Sequence, residues 1–305
     1  MVEVSMKIAL FHTKKDMEIA HTIGSIITEN AFSVAYYETE NIWNIELYKN
    51  PMMLLDQVTH MLFIYSQSIT DFSAGIFFAG VCLGRGIPVI VLETDAKINL
   101  PENCTHMGIA LTPESFEEYF IAERIRFMAE DKKNSARSEL LKRGISCFDE
   151  NFISIVSSGD AEAVSLFLNA GFDPSIVDSK GNPLLSLAVR AQFPRVVLQL
   201  IEAGTDVNRL SGDRGYSPLM DAVQKGDIAM VKLLLERGSM PDLKSKDGQT
   251  ALIICAGRGD AEMSEILVAH GANPETKDLL GMSAIGYAKL FKNQKLLELF
   301  NILPA

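Results

Sequence analysis

The 305-residue sequence is short of several things, and each shortage removes a class of function. No apolar segment reaches the ~18–20 residues that a membrane-spanning helix requires. The opening MVEVSMKIALF runs directly into a strand-like stretch, without a basic flank ahead of a long apolar run, so no secretory leader is expected. Positive charge is scarce: 28 Lys and Arg stand against 39 Asp and Glu, a net charge of −11. Binding to a phosphate backbone needs clustered Lys and Arg, so nucleic acid is not an expected partner. The four cysteines, Cys82, Cys104, Cys147 and Cys255, form no CxxC pair, which reads as reduced, packed thiols in a cytoplasmic protein. The five histidines are dispersed and build no metal site. A GxGxxG turn and a P-loop are both missing, and no cofactor is expected.

What remains is an ordinary globular composition, 48% hydrophobic and 22% charged, in a chain long enough for two domains. Residues 1–143 alternate strand-like and helix-like runs. KIALFHT (7–13), FSVAYYE (32–38), HMLFIYS (60–66), IPVIVLE (87–93) and HMGIAL (106–111) read as strands. Between them, Ile19, Ile23, Ile26 and Ile27 recur at helical spacing, with Asp16 near that helix's start, and Met52 to Val58 reads as a short helix. A long helix from Pro113 to about Lys142 follows, with Thr112 placed to cap it and Phe116, Tyr119, Phe120, Ile125, Phe127 and Met128 as sheet-packing or dimer candidates. This rhythm predicts an α/β, flavodoxin-like, doubly wound parallel sheet. Ligands of such sheets bind beyond the carboxyl ends of the strands, where the strand order reverses. Ser66, Ser68 and Ser73 border that crevice as candidate anion contacts, but have no His or acid partner that would make a nucleophile.

The segment HMLFIYSQSITDFSAGIFFAGVCLGRGIPVIVLE, followed by NLPENCTHMGIALTPESFEEYF, resembles the second half of a Toll/interleukin-receptor (TIR) domain. It is also similar to nucleoside deoxyribosyltransferases. Phe77, Gly80, Gly84, Gly86, Pro88, Val89 and Ile90 fall where those families carry F-E-L-G-x-A-x-x-x-G-K-P-V-I, and IALFHTKKDMEIAHTIGSII resembles the TIR opening. The resemblance implies chemistry on the ribose of NAD or a nucleoside, carried by a glutamate of that passage. Phe78 stands at that position, and phenylalanine can neither accept a hydroxyl hydrogen bond nor stabilise an oxocarbenium ion. No carboxylate lies between Phe72 and Gly84. Asp71, just before, is the candidate substitute acid, though a helix-capping role accounts for it more simply.

Residues 144–305 repeat. GNPLLSLAV, GYSPLMDAV, GQTALIICA and GMSAIGYAK begin at Gly181, Gly215, Gly248 and Gly281, a period of 33 or 34. A fixed period of this size predicts a stacked helical array. The phrases G-x-T-P-L-x-x-A and V-x-x-L-L-x-x-G-A are those of ankyrin repeats, and the chain is similar to that family over about 148–305. An all-α solenoid of about five units is expected. The first (153–181) acts as an N-terminal cap, and the last acts as a C-terminal one.

The resemblance implies protein binding through the turn tips (178–182, 211–216, 245–249, 278–282) and the concave face of the first helices. Arg190, Tyr216, Asp221, Lys225, Arg258 and Tyr287 are the candidate contacts. The expected function is therefore a protein-interaction adaptor with a degenerate, non-catalytic TIR-like domain. The alternatives are a nucleotide sensor or an NAD- or nucleoside-cleaving enzyme targeted by its repeats.

Overall fold

A computed structural model describes residues 6–30, 32–39, 55, 57–66, 73–94, 109–111 and 113–300. The chain divides into two compact units, Met1–Asp131 and Lys132–Ala305.

The first unit is built on β1 (Lys7–His12), β2 (Ser33–Glu38), β3 (His60–Tyr65), β4 (Val89–Glu93) and β5 (Ile109–Leu111). All pairings are parallel, in the order β2-β1-β3-β4-β5. Parallel neighbours need a crossover, here supplied between β1 and β2 by α1 (Met17–Glu29) and between β3 and β4 by α2 (Ser73–Gly84). Strand side chains alternate between faces, and both faces are covered, which is why these strands read as continuous apolar runs. Ile8, Leu10, Leu62, Ile64, Ile90 and Leu92 pack with Ala20, Ile23 and Ile27 of α1 and with Phe116 and Phe120 of α3 (Pro113–Lys142). Ala9, Phe11, Met61, Phe63 and Val89 pack with Phe78, Ala79 and Cys82 of α2.

Two details differ from the sequence pattern. Ile19 is exposed, because the buried line of α1 is Ala20, Ile23, Gly24 and Ile27. Gly24 belongs to that line because Tyr36 crosses it: a Cβ there would sit 1.7 Å from the tyrosine oxygen. In α3, Phe116 and Phe120 enter the core, whereas Ile125 and Met128, one turn and more further on, stay exposed. The expected helix at Met52–Val58 lies largely outside the described residues, as does Thr112.

The second unit stacks, among the described residues, five helix pairs. These are α4 (Asp149–Ser158) with α5 (Ala161–Asn169), α6 (Leu184–Arg190) with α7 (Pro194–Glu202), α8 (Pro218–Lys225) with α9 (Ile228–Glu236), α10 (Ala251–Arg258) with α11 (Ala261–Ala269), and α12 (Ala284–Leu290) with α13 (Gln294–Leu299). Capping repeats with the sequence. Ser217, Thr250 and Ser283 accept the amide hydrogen bond three residues on in α8, α10 and α12. Asp160, Asp227, Asp260 and Asn293 do so for α5, α9, α11 and α13. Each such cap contributes about 1 kcal/mol by satisfying an orphan N–H. Met230, Val231, Leu234 and Leu235 of α9 are buried as the apolar stripe requires, in one core that runs from Ala136 to Leu296.

Candidate functional site

The four turns before α6, α8, α10 and α12 share one construction. Asp178, Ser211, Ser245 and Asp278 open them, and each side chain accepts hydrogen bonds from the backbone across the turn. Asp178 Oδ1 takes the amides of Lys180 (2.9 Å) and Asn182 (2.8 Å). Ser211 Oγ takes that of Tyr216 (3.0 Å), and Ser245 Oγ that of Gln249 (3.1 Å). Asp278 Oδ1 takes those of Leu280 and Met282, both at 2.9 Å. Adjacent tips are also bonded through their backbones: Gly212 N–H to Gly181 O (2.9 Å), Lys246 N–H to Arg214 O (3.2 Å) and Leu279 N–H to Asp247 O (3.0 Å). The tips therefore form a continuous row held at fixed spacing.

Between the second tip and the inner helices α6 and α8 lies a cluster of four charges. Arg190, the last residue of α6, grips Asp213 with both terminal nitrogens, at 2.8 and 3.0 Å. Its Nε donates to Asp221 Oδ2 at 2.9 Å. Arg214 donates to Asp221 Oδ1 at 3.3 Å and lies 4.5 Å from the centre of the Tyr216 ring. Asp221 is 1% exposed. Burial pushes its carboxyl up to about 6, against the pull of Arg190 and Arg214. Asp213, gripped by the Arg190 guanidinium, is held well below the usual carboxylate range.

The sequence-derived contact residues thus fall into two groups. Arg190 and Asp221 bind each other, the buried Tyr216 donates its hydroxyl to Gln249 (3.3 Å), and Tyr287 donates to Asp278 Oδ2 (2.9 Å). Lys225 and Arg258, at equivalent places ending α8 and α10, are exposed, and Arg258 also donates to the Gln224 carbonyl. Asp213 and Arg214 lie in the expected 211–216 tip, but the sequence does not single them out as partners of Arg190 and Asp221. Their signal was the one 34-residue interval, between Gly181 and Gly215, which adds a residue to that turn. Leu279 and Leu280 lie in the expected 278–282 tip, where the other three tips carry charge.

In the first unit, Phe78 is 2% exposed, its ring 5.4 Å from Phe11 and 5.3 Å from Phe77. The position at which the resemblance implies a glutamate is occupied by a core aromatic. A carboxylate stands elsewhere: buried Asp16, at the start of α1, accepts from Ser66 Oγ (2.7 Å) and from Thr13 Oγ1. Thr13 follows β1 and Ser66 follows β3, so this trio lies at the carboxyl ends of two adjacent central strands. Asp16 makes no capping bond to α1. Asp71 and Ser68 lie outside the described residues, as does the side chain of Ser73. At the opposite end of β3, His60 Nε2 and Glu123 Oε1 are 3.1 Å apart and buried. Burial pushes the imidazole down and Glu123 opposes it. Burial also pushes the Cys82 thiol up to about 11 and that of Cys255 up to about 12, which leaves both unreactive as nucleophiles. Among the described residues no cluster of metal-ligating side chains occurs, and no helix is long and apolar enough to cross a membrane.

Comparison with known proteins agrees with the repeat geometry. The family model for ankyrin repeats (three copies) matches residues 152–245 and 219–301. A Treponema pallidum (strain Nichols) protein described as ankyrin repeat-containing is 39% identical over 298 residues, covering 97% of this chain and all of that protein. The tyrosine-protein kinase HTK16 of Hydra vulgaris is 28% identical over 143 residues, 44% of this chain and 19% of the kinase. The human 2-5A-dependent ribonuclease is 40% identical over 73 residues, 24% of this chain and 10% of the ribonuclease.

Proposed function

The chain belongs to the ankyrin repeat-containing proteins, and on that premise we propose that it is a protein-interaction adaptor whose partner lies against the row of turn tips and the concave face. The observation that carries this reading is the pairing of a rigid, backbone-bonded row of tips with exposed cations at equivalent places in successive repeats, Lys225 and Arg258. In this reading Lys225 and Arg258 touch the partner. Arg190, Asp221, Tyr216 and Tyr287 hold the surface in shape and present their edges to it. The first unit is a TIR-like domain that contributes contacts and no catalysis. Its strand order, 2-1-3-4-5, is that of flavodoxin-like sheets, and the buried Phe78 leaves no acid at the implied catalytic position.

A second reading, ligand sensing without turnover, rests on the Thr13–Asp16–Ser66 trio. In open parallel sheets the crevice at a reversal of strand order is the usual ligand position, and β1 and β3 flank such a reversal.

Photo-crosslinking separates the readings. A photoreactive residue placed at Lys225 or Arg258 should yield a discrete crosslinked partner, and one at exposed Arg85 should not. Crosslinks from Arg85 alone, or release of free base from NAD or a nucleoside, would reject the adaptor reading.

A further inference from the structure

Three of the four tips carry charge at their outermost pair: Ser179–Lys180, Asp213–Arg214 and Lys246–Asp247. The fourth carries Leu279–Leu280. These leucines are 76% and 81% exposed, the most exposed large apolar side chains among the described residues. They do not sit on a fraying end. Asp278 Oδ1 holds the Leu280 amide at 2.9 Å, and the Leu279 amide donates to Asp247 O at 3.0 Å.

Further exposed apolar side chains stand on α12 and just after it. Tyr287 links tip and helix, with its hydroxyl on Asp278 and its ring stacked on Phe291, centroids 6.3 Å apart and planes inclined by 18°. Phe291 is 56% exposed and Leu290 62%. Phe291 occupies the repeat position held by Arg258 and Lys225 in the two preceding units, so the aromatic ring extends the same concave column. Exposed apolar side chains gathered in this way mark an interaction site, and aromatic residues such as Tyr and Phe are enriched at the centre of such sites.

The charged neighbours of the patch are mainly positive, in a chain that is acidic overall. Lys277, Lys289 and Lys292, neighbours of these residues in the sequence, are all exposed. Asp278 is buried and bound to Tyr287, and an acid left exposed beside the leucines is Asp247 of the preceding tip, whose carbonyl accepts from the Leu279 amide. A second copy of the chain fits poorly here. Isologous pairing would set lysine against lysine, between two molecules that each carry a net charge of −11.

Resting on the reading of the repeats as the binding surface, we propose that the Leu279–Leu280 tip with Tyr287, Leu290 and Phe291 is the array's principal docking site. Its ligand is an acidic peptide segment of a partner protein, with large apolar residues interspersed among Asp and Glu. The apolar anchors fill the strip between tip and helix, and the carboxylates meet the lysines. Encounter is accelerated locally in a molecule that otherwise repels anions, and binding weakens as salt screens the lysines.

The test is selection of random 16-residue peptides displayed on phage against the full chain, followed by affinity measurement on synthetic copies of the winners. Acidic peptides containing Leu, Ile or Phe should be enriched. Their binding should fall at least tenfold with Leu279→Asp/Leu280→Asp, fall similarly with Lys289→Glu/Lys292→Glu, and fall several-fold between low and high salt. All four substituted side chains are exposed, so the variants keep the fold, and a circular dichroism melt verifies that. Winners that are basic or lack apolar residues, or no winners, overturn the proposal. Winners indifferent to the leucine variant but lost with Lys225→Glu/Arg258→Glu overturn the patch and leave the adaptor reading standing. Winners indifferent to every one of these substitutions overturn both. Sedimentation showing a dimer that the leucine variant abolishes assigns the patch to a second copy and likewise overturns it.

Discussion

Arg190 and Asp221 face each other across one repeat interval, Nε to Oδ2 at 2.9 Å, and the carboxylate is almost wholly buried. The arginine comes from the end of one inner helix and the aspartate from the first turn of the next, so the pair joins neighbouring units by an ion pair.

Removing the acceptor should cost more than neutralising it. Asp221→Ala leaves the half-buried Arg190 Nε without its partner and should destabilise the chain by about 2 kcal/mol, the cost of an unsatisfied buried donor. Asp221→Asn keeps an oxygen in place and should stay within about 1 kcal/mol of the parent. Urea denaturation at neutral pH measures both. Equal losses for the two variants would show that Asp221 contributes only its charge.

The same aspartate gives a pH signature with a definite sign. Its carboxyl titrates near 6 in the folded chain against a reference of 3.8, so between those values the folded state holds more protons than the unfolded. Stability contributed by Asp221 therefore falls as pH rises through roughly 4 to 6, by about 3 kcal/mol in all. Asp213 is shifted the other way, and its contribution disappears only as pH drops below that window. The parent's stability minus that of Asp221→Asn should decline from pH 4 to 6.5. A flat or rising difference would contradict the account.

Two turn glycines separate backbone strain from crowding. Gly281 and Gly248 have nearly the same left-handed φ, 77° and 76°. A Cβ on Gly281 meets nothing within 4 Å, whereas one on Gly248 would lie 2.9 Å from the Leu279 nitrogen and 3.1 Å from the Asp278 Cα. Gly281→Ala should cost about 1–2 kcal/mol from conformation alone. Gly248→Ala should cost clearly more, because the next tip must also move. Thermal melts of the two variants rank them, and the reverse order would mean that the row of tips is looser than its hydrogen bonds imply.

In the first unit, the buried His60 has its pKa lowered by desolvation while Glu123, 3.1 Å away, raises it. Glu123→Gln removes the opposing influence and should lower the His60 pKa further. NMR titration of the imidazole reads this directly. Because the folded pKa lies below the unfolded one, His60 withdraws stability as pH falls below about 6.5. The variant should steepen that loss. An upward shift would mean that Glu123 does not act on the imidazole as a charge.

The repeats were legible because their determinants are local. A glycine that must turn, a Ser or Thr that opens the inner helix and a Leu–Val stripe that must bury recur every 33 or 34 residues, and the structure shows Ser217, Thr250 and Ser283 capping those helices. The parallel strands were legible for the same reason, from apolar runs covered on both sides. What sequence spacing did not reveal is which polar groups are already committed. Arg190 and Asp221 have interface-like identities, yet whether such side chains meet each other depends on stacking one unit on the next. The Leu279–Leu280 tip lay in plain view, but its exposure follows from the Asp278 turn that fixes its backbone.

The central claim is that binding resides on the repeat surface and not in the sheet unit. Quantitative affinity capture from cells expressing the parent chain, Lys225→Glu/Arg258→Glu and Ser66→Ala tests it most directly. The account expects a partner set that the double variant loses and Ser66→Ala retains. Retention by the double variant together with loss by Ser66→Ala would contradict it.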